Sequence, residues 1–482
     1  MAKKDNKGIT VTKTEDFSEW YTQVILKADL ADYSSVSGCI VYKPASFAVW
    51  EKIKSIVDVG FKKLGIQNAY FPMFIPESLL QKEADHIEHF APEVAWVTHG
   101  GDTKLGERLA IRPTSETIMY ESYSKWIRSY NDLPLRLNQW NNVVRWEFKH
   151  PTPFLRGREF LWNEGHTCFA NREDAEAEGE DVIAIYKDVC ENYMALPSLI
   201  GRKSDKEKFA GAEYTVSMEF MMPNKKGIQG PDFHHDGQNF AKPFDIKFKD
   251  NKGENQYVWQ NTFAISTRML GVLFAIHGDD KGLVMPPKIA PLQVVIVPIL
   301  FDNTKAAVLK VAREIKQRLE AKGISVKLDD RENYSPGWKF NQWEMKGIPV
   351  RIELGPRDLE KEQVMVARRD TSEKQALPIT AIDTEVELVM NQMQENLFEK
   401  AKKQLDENIV SVETKEEAKA ALSEGKFIIA PWCGSSESEE EFKTETGAKS
   451  LNSPLDQDPI DGKKCFLTGE TAKYWFYFGK SY

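Results

Sequence analysis

Asn141-Asn142-Val143-Val144-Arg145-Trp146-Glu147 runs into a loop, and Arg156-Gly157-Arg158-Glu159-Phe160-Leu161-Trp162-Asn163-Glu164-Gly165-His166 returns from it. Arg136–Trp146 and Phe160–Phe169 are rich in β-formers and read as two strands of one hairpin. Arg145 sits at the loop end of the first strand, and Arg156 stands just before the second. Two guanidinium groups on adjacent strands can clamp a polyphosphate, and an aromatic ring beside them can stack on a purine. By spacing alone the plainer reading is stronger: a salt-bridged surface hairpin whose Phe160 and Trp162 belong to the core.

Working outward, strand-like pieces recur at Ala69–Ile75 and Tyr257–Phe263, among helical stretches such as Ser46–Leu64. Strands and helices do not alternate regularly, so the first 288 residues read as an α+β domain built on an antiparallel sheet. Pro286, Pro287 and Pro291 mark a linker. Beyond it, Leu292–Leu300 reads as a buried strand and Lys305–Lys322 has helical apolar spacing. Gly323 stops that helix, and Ile324–Leu328 alternates. That βαβ unit implies a parallel sheet in a second domain, 289–390. Leu388–Gln404 reads as a helix leading into a third domain, 391–482. Glu173–Asp181 reads as a solvated helix face.

Composition agrees with this plan. A length of 482 residues predicts roughly three domains. With 41% hydrophobic and 28% charged residues the chain is globular. The longest apolar run, Val294–Leu300, contains Pro298 and is far short of the about 20 residues of a membrane helix. Lysines near the amino end, Met1 to Asn6, precede no apolar signal region. Five cysteines (Cys39, Cys168, Cys190, Cys433, Cys465) suit a reducing compartment, so a cytoplasmic location is expected. The net charge of −9 argues against nucleic acid as a partner, but its distribution reverses that inference. Residues 291–382 hold 16 basic and 13 acidic side chains, whereas residues 383–482 hold 12 and 20. The acidity sits in the tail.

Two common nucleotide-binding devices are absent. No Gly-x-Gly occurs, and neither Gly60/Gly65 nor Gly101/Gly106 is followed by lysine. ATP, if bound, must be held by side-chain cations.

The motifs resolve the hairpin's ambiguity. Arg145-x-Glu147, a loop, then Arg156-x-x-x-Phe160-x-x-x-Glu164 resembles motif 2 of the class II aminoacyl-tRNA synthetases. Gly65 with Pro72 resembles motif 1, and Ser266-Thr267-Arg268 with Gly271 resembles motif 3. Arg112-Pro113-Thr114-Ser115-Glu116, Phe90-Ala91-Pro92-Glu93, Lys208-Phe209-Ala210-Gly211 and His277-Gly278-Asp279-Asp280 are similar to prolyl-tRNA synthetases of the archaeal and eukaryotic cytosolic type. So are Asn333-Tyr334-Ser335-Pro336-Gly337-Trp338-Lys339-Phe340 and the closing Gly479-Lys480-Ser481-Tyr482. The likeness spans the chain from about Phe17 onward.

The resemblance implies a proline–tRNA ligase that makes prolyl-adenylate from proline and ATP with Mg²⁺, then charges tRNA(Pro). It implies that Arg145 bridges the α-phosphate and the proline carboxylate. Arg156, with Gly157 beside it, would hold the γ-phosphate end, and Glu147 would set the adenine. Phe160 and Arg268 would sandwich the purine, with Ser266, Gln229 and Asp232 also on the ATP side. Thr114 and Glu116 would accept from the proline ammonium, with Trp162, His166, Phe209 and His234 as pocket walls. Arg145, Arg156 and Arg268 are the catalytic candidates, and their presence argues against an inactive paralogue. Thr114, Glu116, Phe209 and His234 argue for proline over another amino acid. The chain lacks class I synthetase signatures.

Departures from the family pattern are also visible. Gln229-Gly230-Pro231-Asp232-Phe233-His234-His235 puts Asp232 where relatives carry a threonine, and Phe263-Ala264 replaces Trp-Gly. In residues 289–390 the resemblance makes Glu344, Arg351 and Asp358 readers of guanine edges in the anticodon. Cys433 and Cys465 match two of four zinc ligands, but Ser438 and Leu467 stand at the others, so no metal site is expected there. Motif 1 implies a homodimer. Only about a hundred residues separate motif 2 from motif 3, so no editing insertion is expected between them.

Overall fold

The computed structural model describes residues 8–84, 93–147 and 151–482. The lysine-rich Met1–Asn6 and Phe90–Pro92 of the Phe90–Glu93 stretch lie outside the described residues.

The first domain is built on an eight-stranded sheet. Its order is Ser453–Pro454, Leu199–Arg202, Tyr214–Met221, Gly227–Gly237, Trp259–Ala264, Glu159–Phe169, Leu135–Val144 and Gln67–Asn68. Every pairing is antiparallel except the last. The hairpin forms as expected, with Leu135 opposite Cys168 and Val144 opposite Glu159. The helix Pro44–Lys63 starts on a proline, whose missing N–H costs nothing in the first turn. It buries Val49, Trp50, Ile53, Val57 and Phe61 along one face.

Two expectations for this domain need correction. Ala69–Ile75 is not one strand: pairing stops at Asn68 and resumes at Phe74. Phe71 donates its N–H to the Gln139 side chain (2.9 Å), and Pro72 has none to donate. Glu173–Asp181 is not a wholly solvated face. It lies in the helix Arg172–Asp188, which lays Ala175, Glu178, Gly179 and Val182 on the sheet. Glu178 is buried and accepts from Thr167 Oγ1 and Asn261 Nδ2 beneath it.

The second domain's sheet runs Val326–Leu328, Val294–Pro298, Val350–Leu354, Gln363–Arg368, Lys374–Pro378. The helix Lys305–Ala321 makes the expected parallel crossover. The sheet as a whole is mixed, because Gln363–Arg368 and Lys374–Pro378 add antiparallel. Only the five-residue helix Pro356–Glu360 joins Val350–Leu354 to the next strand, which is too short for a crossover. The bridging helix is longer than its sequence signal, Ile382–Asp406. Its buried Gln394 donates to the Asn192 and Tyr193 carbonyls, tying it to the first domain.

The third domain's four-stranded sheet runs Ile409–Ser411, Phe427–Trp432, Tyr474–Lys480, Ala448–Ser450. It also reaches into the first domain. Ser453–Pro454 extends the large sheet, Asn452 Nδ2 donates to the carbonyls of Leu199 (2.9 Å) and Ser217 (3.1 Å), and Tyr482 N donates to Gly227 O (3.0 Å). At this seam a Cβ on Gly201 would stand 2.1 Å from the Ser453 carbonyl oxygen. Backbone on both sides leaves no room to yield. Gly201→Ala is expected to cost about 1–3 kcal/mol by overpacking and to expose the seam to limited proteolysis. Unchanged thermal unfolding and cleavage would contradict this docking.

Candidate active site

The strand Glu159–Phe169 sends alternate side chains to one face: Phe160, Trp162, Glu164 and His166 all line a cavity of about 340 Å³. Its floor is a row across four strands. His166 pairs with Thr262, Thr262 with His234, and His234 with Thr215. Above it stand Thr114 and Glu116, at the start of the helix Glu116–Trp126.

One end is carboxylate-rich. The Thr114 hydroxyl hydrogen-bonds Glu116 and lies 3.2 Å from Glu164 Oε1. Glu164 is buried and also accepts from Ser115 N (2.8 Å), Ser115 Oγ (2.5 Å), Asn141 Nδ2 (2.7 Å) and Gln139 Nε2 (3.3 Å). Burial alone would push its carboxyl up. His166, with Nε2 3.9 Å away, and the Ser115 and Asn141 donors outweigh that and hold it down at about 2. Phe209 and the His234 ring meet with centroids 4.7 Å apart. Thr215 Oγ1 bridges them, accepting from Phe209 N (3.0 Å) and lying 2.8 Å from His234 Nδ1. Burial lowers the His234 pKa, favouring a neutral ring.

The other end is cationic. Arg145 Nε donates to Pro113 O (3.0 Å), and its guanidinium lies 5.1 Å from the Trp162 ring and 5.5 Å from the Phe160 ring. Arg268 donates to Leu155 O (3.2 Å) and Gln229 O (3.0 Å). Burial first, then the charges of Arg145 and Arg156, lowers the Arg268 pKa. Three gathered guanidinium groups mark a place prepared for a polyanion.

Of the residues picked from sequence, Thr114, Glu116, Arg145, Phe160, Trp162, Phe209, His166, Gln229, Asp232, His234, Ser266 and Arg268 line this cavity. Arg156 lines an adjoining chamber with Gln229 and Arg268. Gly157 packs against Gly38, whose carbonyl would be 3.1 Å from an added Cβ. Glu147 is exposed and is not part of the cavity wall. Asp232 accepts from Gln229 Nε2 (2.7 Å), and its Oδ1 lies 3.5 Å from His234 Nε2. Glu164 carries a motif match, though the resemblance gives it no ligand. The two-residue period from Phe160 to His166 was the signal for it. Thr215 and Thr262 had no local signal, since only register places them.

The anticodon candidates occupy separate networks. Arg351 pairs with Glu353 (2.9 Å) and lies over Phe340 (4.5 Å), while Glu344 meets Lys281 (3.3 Å). Asp358 caps its own short helix by accepting from Gly355 N (2.8 Å). In the third domain Cys433 Sγ lies 3.7 Å from Thr468 Oγ1, and Ser438 Oγ accepts from Trp432 Nε1 (3.1 Å). Among the described residues no three His, Cys, Asp or Glu side chains converge as a metal cluster.

Comparison with known proteins identifies this architecture. Residues 96–277 match the tRNA synthetase class II core domain (G, H, P, S and T), 293–387 an anticodon binding domain, and 415–482 the prolyl-tRNA synthetase C-terminal domain. The cytoplasmic proline–tRNA ligase of Arabidopsis thaliana is 48% identical, over 100% of this chain and 92% of that protein. The proline–tRNA ligase of Alkaliphilus oremlandii is 49% identical over the whole of both. The chain belongs to the prolyl-tRNA synthetase family. A solved relative is the Cryptosporidium parvum prolyl-tRNA synthetase, complexed with halofuginone and AMPPNP. It is 44% identical with a TM-score of 0.95, covering 99% of this chain and 98% of that one. Between Arg156 of motif 2 and Arg268 of motif 3 lie the sheet strands, the helix Arg172–Asp188 with the turn Val189–Tyr193, and a small hairpin of Lys247–Lys249 with Asn255–Tyr257, all within the span that matches the class II core, 96–277.

Proposed function

We propose that this chain activates L-proline with ATP and transfers the prolyl group to tRNA(Pro). The observation that carries the reading is the position of Arg145, lining the same cavity as the Glu116/Glu164 carboxylates and the Arg268 guanidinium. Proline is a cation at its amine and an anion at its carboxylate. Glu116 and Thr114 accept from the ammonium, and Trp162, His166, Phe209 and His234 enclose the ring. Arg145 turns the carboxylate towards the α-phosphate. A carboxylate oxygen attacks that phosphorus, the bond to the β-phosphate oxygen breaks, and pyrophosphate leaves with the electron pair. Fixed guanidinium groups stabilise the charge that builds there, and no side chain acts as nucleophile. Phe160 and Arg268 hold the purine; Ser266, Gln229 and Gly157 complete the nucleotide's surroundings, and Arg156 takes the far phosphate. The ribose hydroxyl at the tRNA end then attacks the prolyl carbonyl and releases AMP.

Mg²⁺ bound with ATP would neutralise the leaving pyrophosphate. Asp232 suits it: Oδ1 is buried without a hydrogen-bond partner, so an oxygen ligand is on hand. Zinc has no part in this reading. Arg351 and Glu344, with Asp358 beside its own cap, read the anticodon. The boundaries 288/289 and 390/391, a cytoplasmic location and a homodimer through motif 1 complete the proposal. So does kinship with the archaeal and eukaryotic cytosolic type, with bacterial relatives as similar to this chain as a plant one.

ATP–pyrophosphate exchange with each of the twenty amino acids tests it. Exchange should require proline. Its absence with proline would overturn the assignment.

A further inference from the structure

A second chamber of about 150 Å³ opens beside the substrate cavity. Glu207, Gln229 and Arg268 line both. The chamber is walled by two domains. Arg156, Lys203, Glu219 and Arg268 come from the first, and Lys449, Ser450, Ser481 and Tyr482 from the third. Its buried Lys203 is already satisfied, 2.6 Å from Glu219 Oε1. Lys449 is different. It lies on the strand Ala448–Ser450, its side chain is 37% exposed, and its nearest carboxylate, Glu207 Oε2, is 3.9 Å away. A cation so weakly paired retains charge to offer an anion.

We propose that this chamber receives the pyrophosphate released at the α-phosphorus, and that Lys449 of the third domain helps bind it there. The inference rests on the proline-activation reading above. Pyrophosphate leaving along the Gln229–Arg268 wall enters a space lined by both Arg156 and Lys449. The third domain thereby takes part in activation, and the strand that docks it at Ser453–Pro454 sets where Lys449 stands.

The test is proline-dependent ATP–pyrophosphate exchange by the full chain, varying pyrophosphate and proline separately. Lys449→Ala should raise the KM for pyrophosphate about fivefold, the scale of one lost charge-assisted contact that is partly screened, and leave the KM for proline unchanged. Lys449→Arg should restore it. Lys443→Ala is the control: Lys443 lies 3.8 Å from the same Glu207 but does not line the chamber, so both KM values should stand. An unchanged pyrophosphate KM in Lys449→Ala, or an equal effect from Lys443→Ala, overturns the inference alone. Absence of exchange in the unaltered protein overturns the activation reading and this inference together.

Discussion

Arg145→Ala should cut proline-dependent ATP–pyrophosphate exchange by about a hundredfold to a thousandfold, the usual cost of removing one preorganised donor at a developing charge. The side chain is already aimed. Pro113 O holds its Nε, and the Phe160 and Trp162 rings flank the guanidinium. Little reorganisation is needed when substrates arrive. The fold should survive, because Arg145 is only half-buried and its side-chain hydrogen bond is to a single carbonyl, Pro113 O. Binding of tRNA, read by fluorescence anisotropy, should change little, since the anticodon candidates lie in another domain. Arg145→Lys should recover only part of the rate, as an ammonium cannot bridge phosphate and carboxylate bidentately. Exchange at the unaltered rate in Arg145→Ala would show that motif 2 is misplaced.

Glu164→Leu should destabilise the protein by about 3–5 kcal/mol, the range for breaking a buried charged network, read by urea unfolding. The donors of Ser115 and Asn141 would lose this buried acceptor, and Gln139 Nε2 would keep only Ser115 Oγ (2.7 Å). A pH signature separates this from simple loss of packing. The folded carboxyl is held at about 2 against an ordinary value of 4.5, so it contributes stability above pH 4.5. That contribution is lost as pH falls from about 4.5 towards 2. Glu164→Gln keeps the shape and removes the titration, so its stability should fall less steeply over that window. Parallel pH profiles for the two proteins would remove Glu164 from the account.

The hairpin, the Pro44–Lys63 helix and the Lys305–Ala321 crossover were legible because each is written in local periodicity. Three features were not. The break at Phe71–Pro72 depends on Gln139, a residue far along the chain, taking the backbone N–H. The buried half of Glu173–Asp181 depends on Thr167 and Asn261 lying beneath it. The antiparallel edge of the second domain's sheet depends on how short a helix precedes it. The candidate site divides the same way. Motif matches singled out Arg145, Phe160, Glu164, Arg268 and the residues read as a proline pocket, and the alternation from Phe160 to His166 explains why Glu164 faces the same cavity.

The chain's own sequence was sufficient for the three-part plan and the hairpin, which reside in local periodicity, and for the class of reaction only through motifs that resemble those of a known family. Tertiary structure alone decided the row His166–Thr262–His234–Thr215, since register across four strands is a non-local property. It alone brought Lys449 from the tail to the chamber beside Arg268. No spacing rule relates those positions. They meet because Ser453–Pro454 pairs with Leu199–Arg202 and fixes one domain's edge against the other's active face.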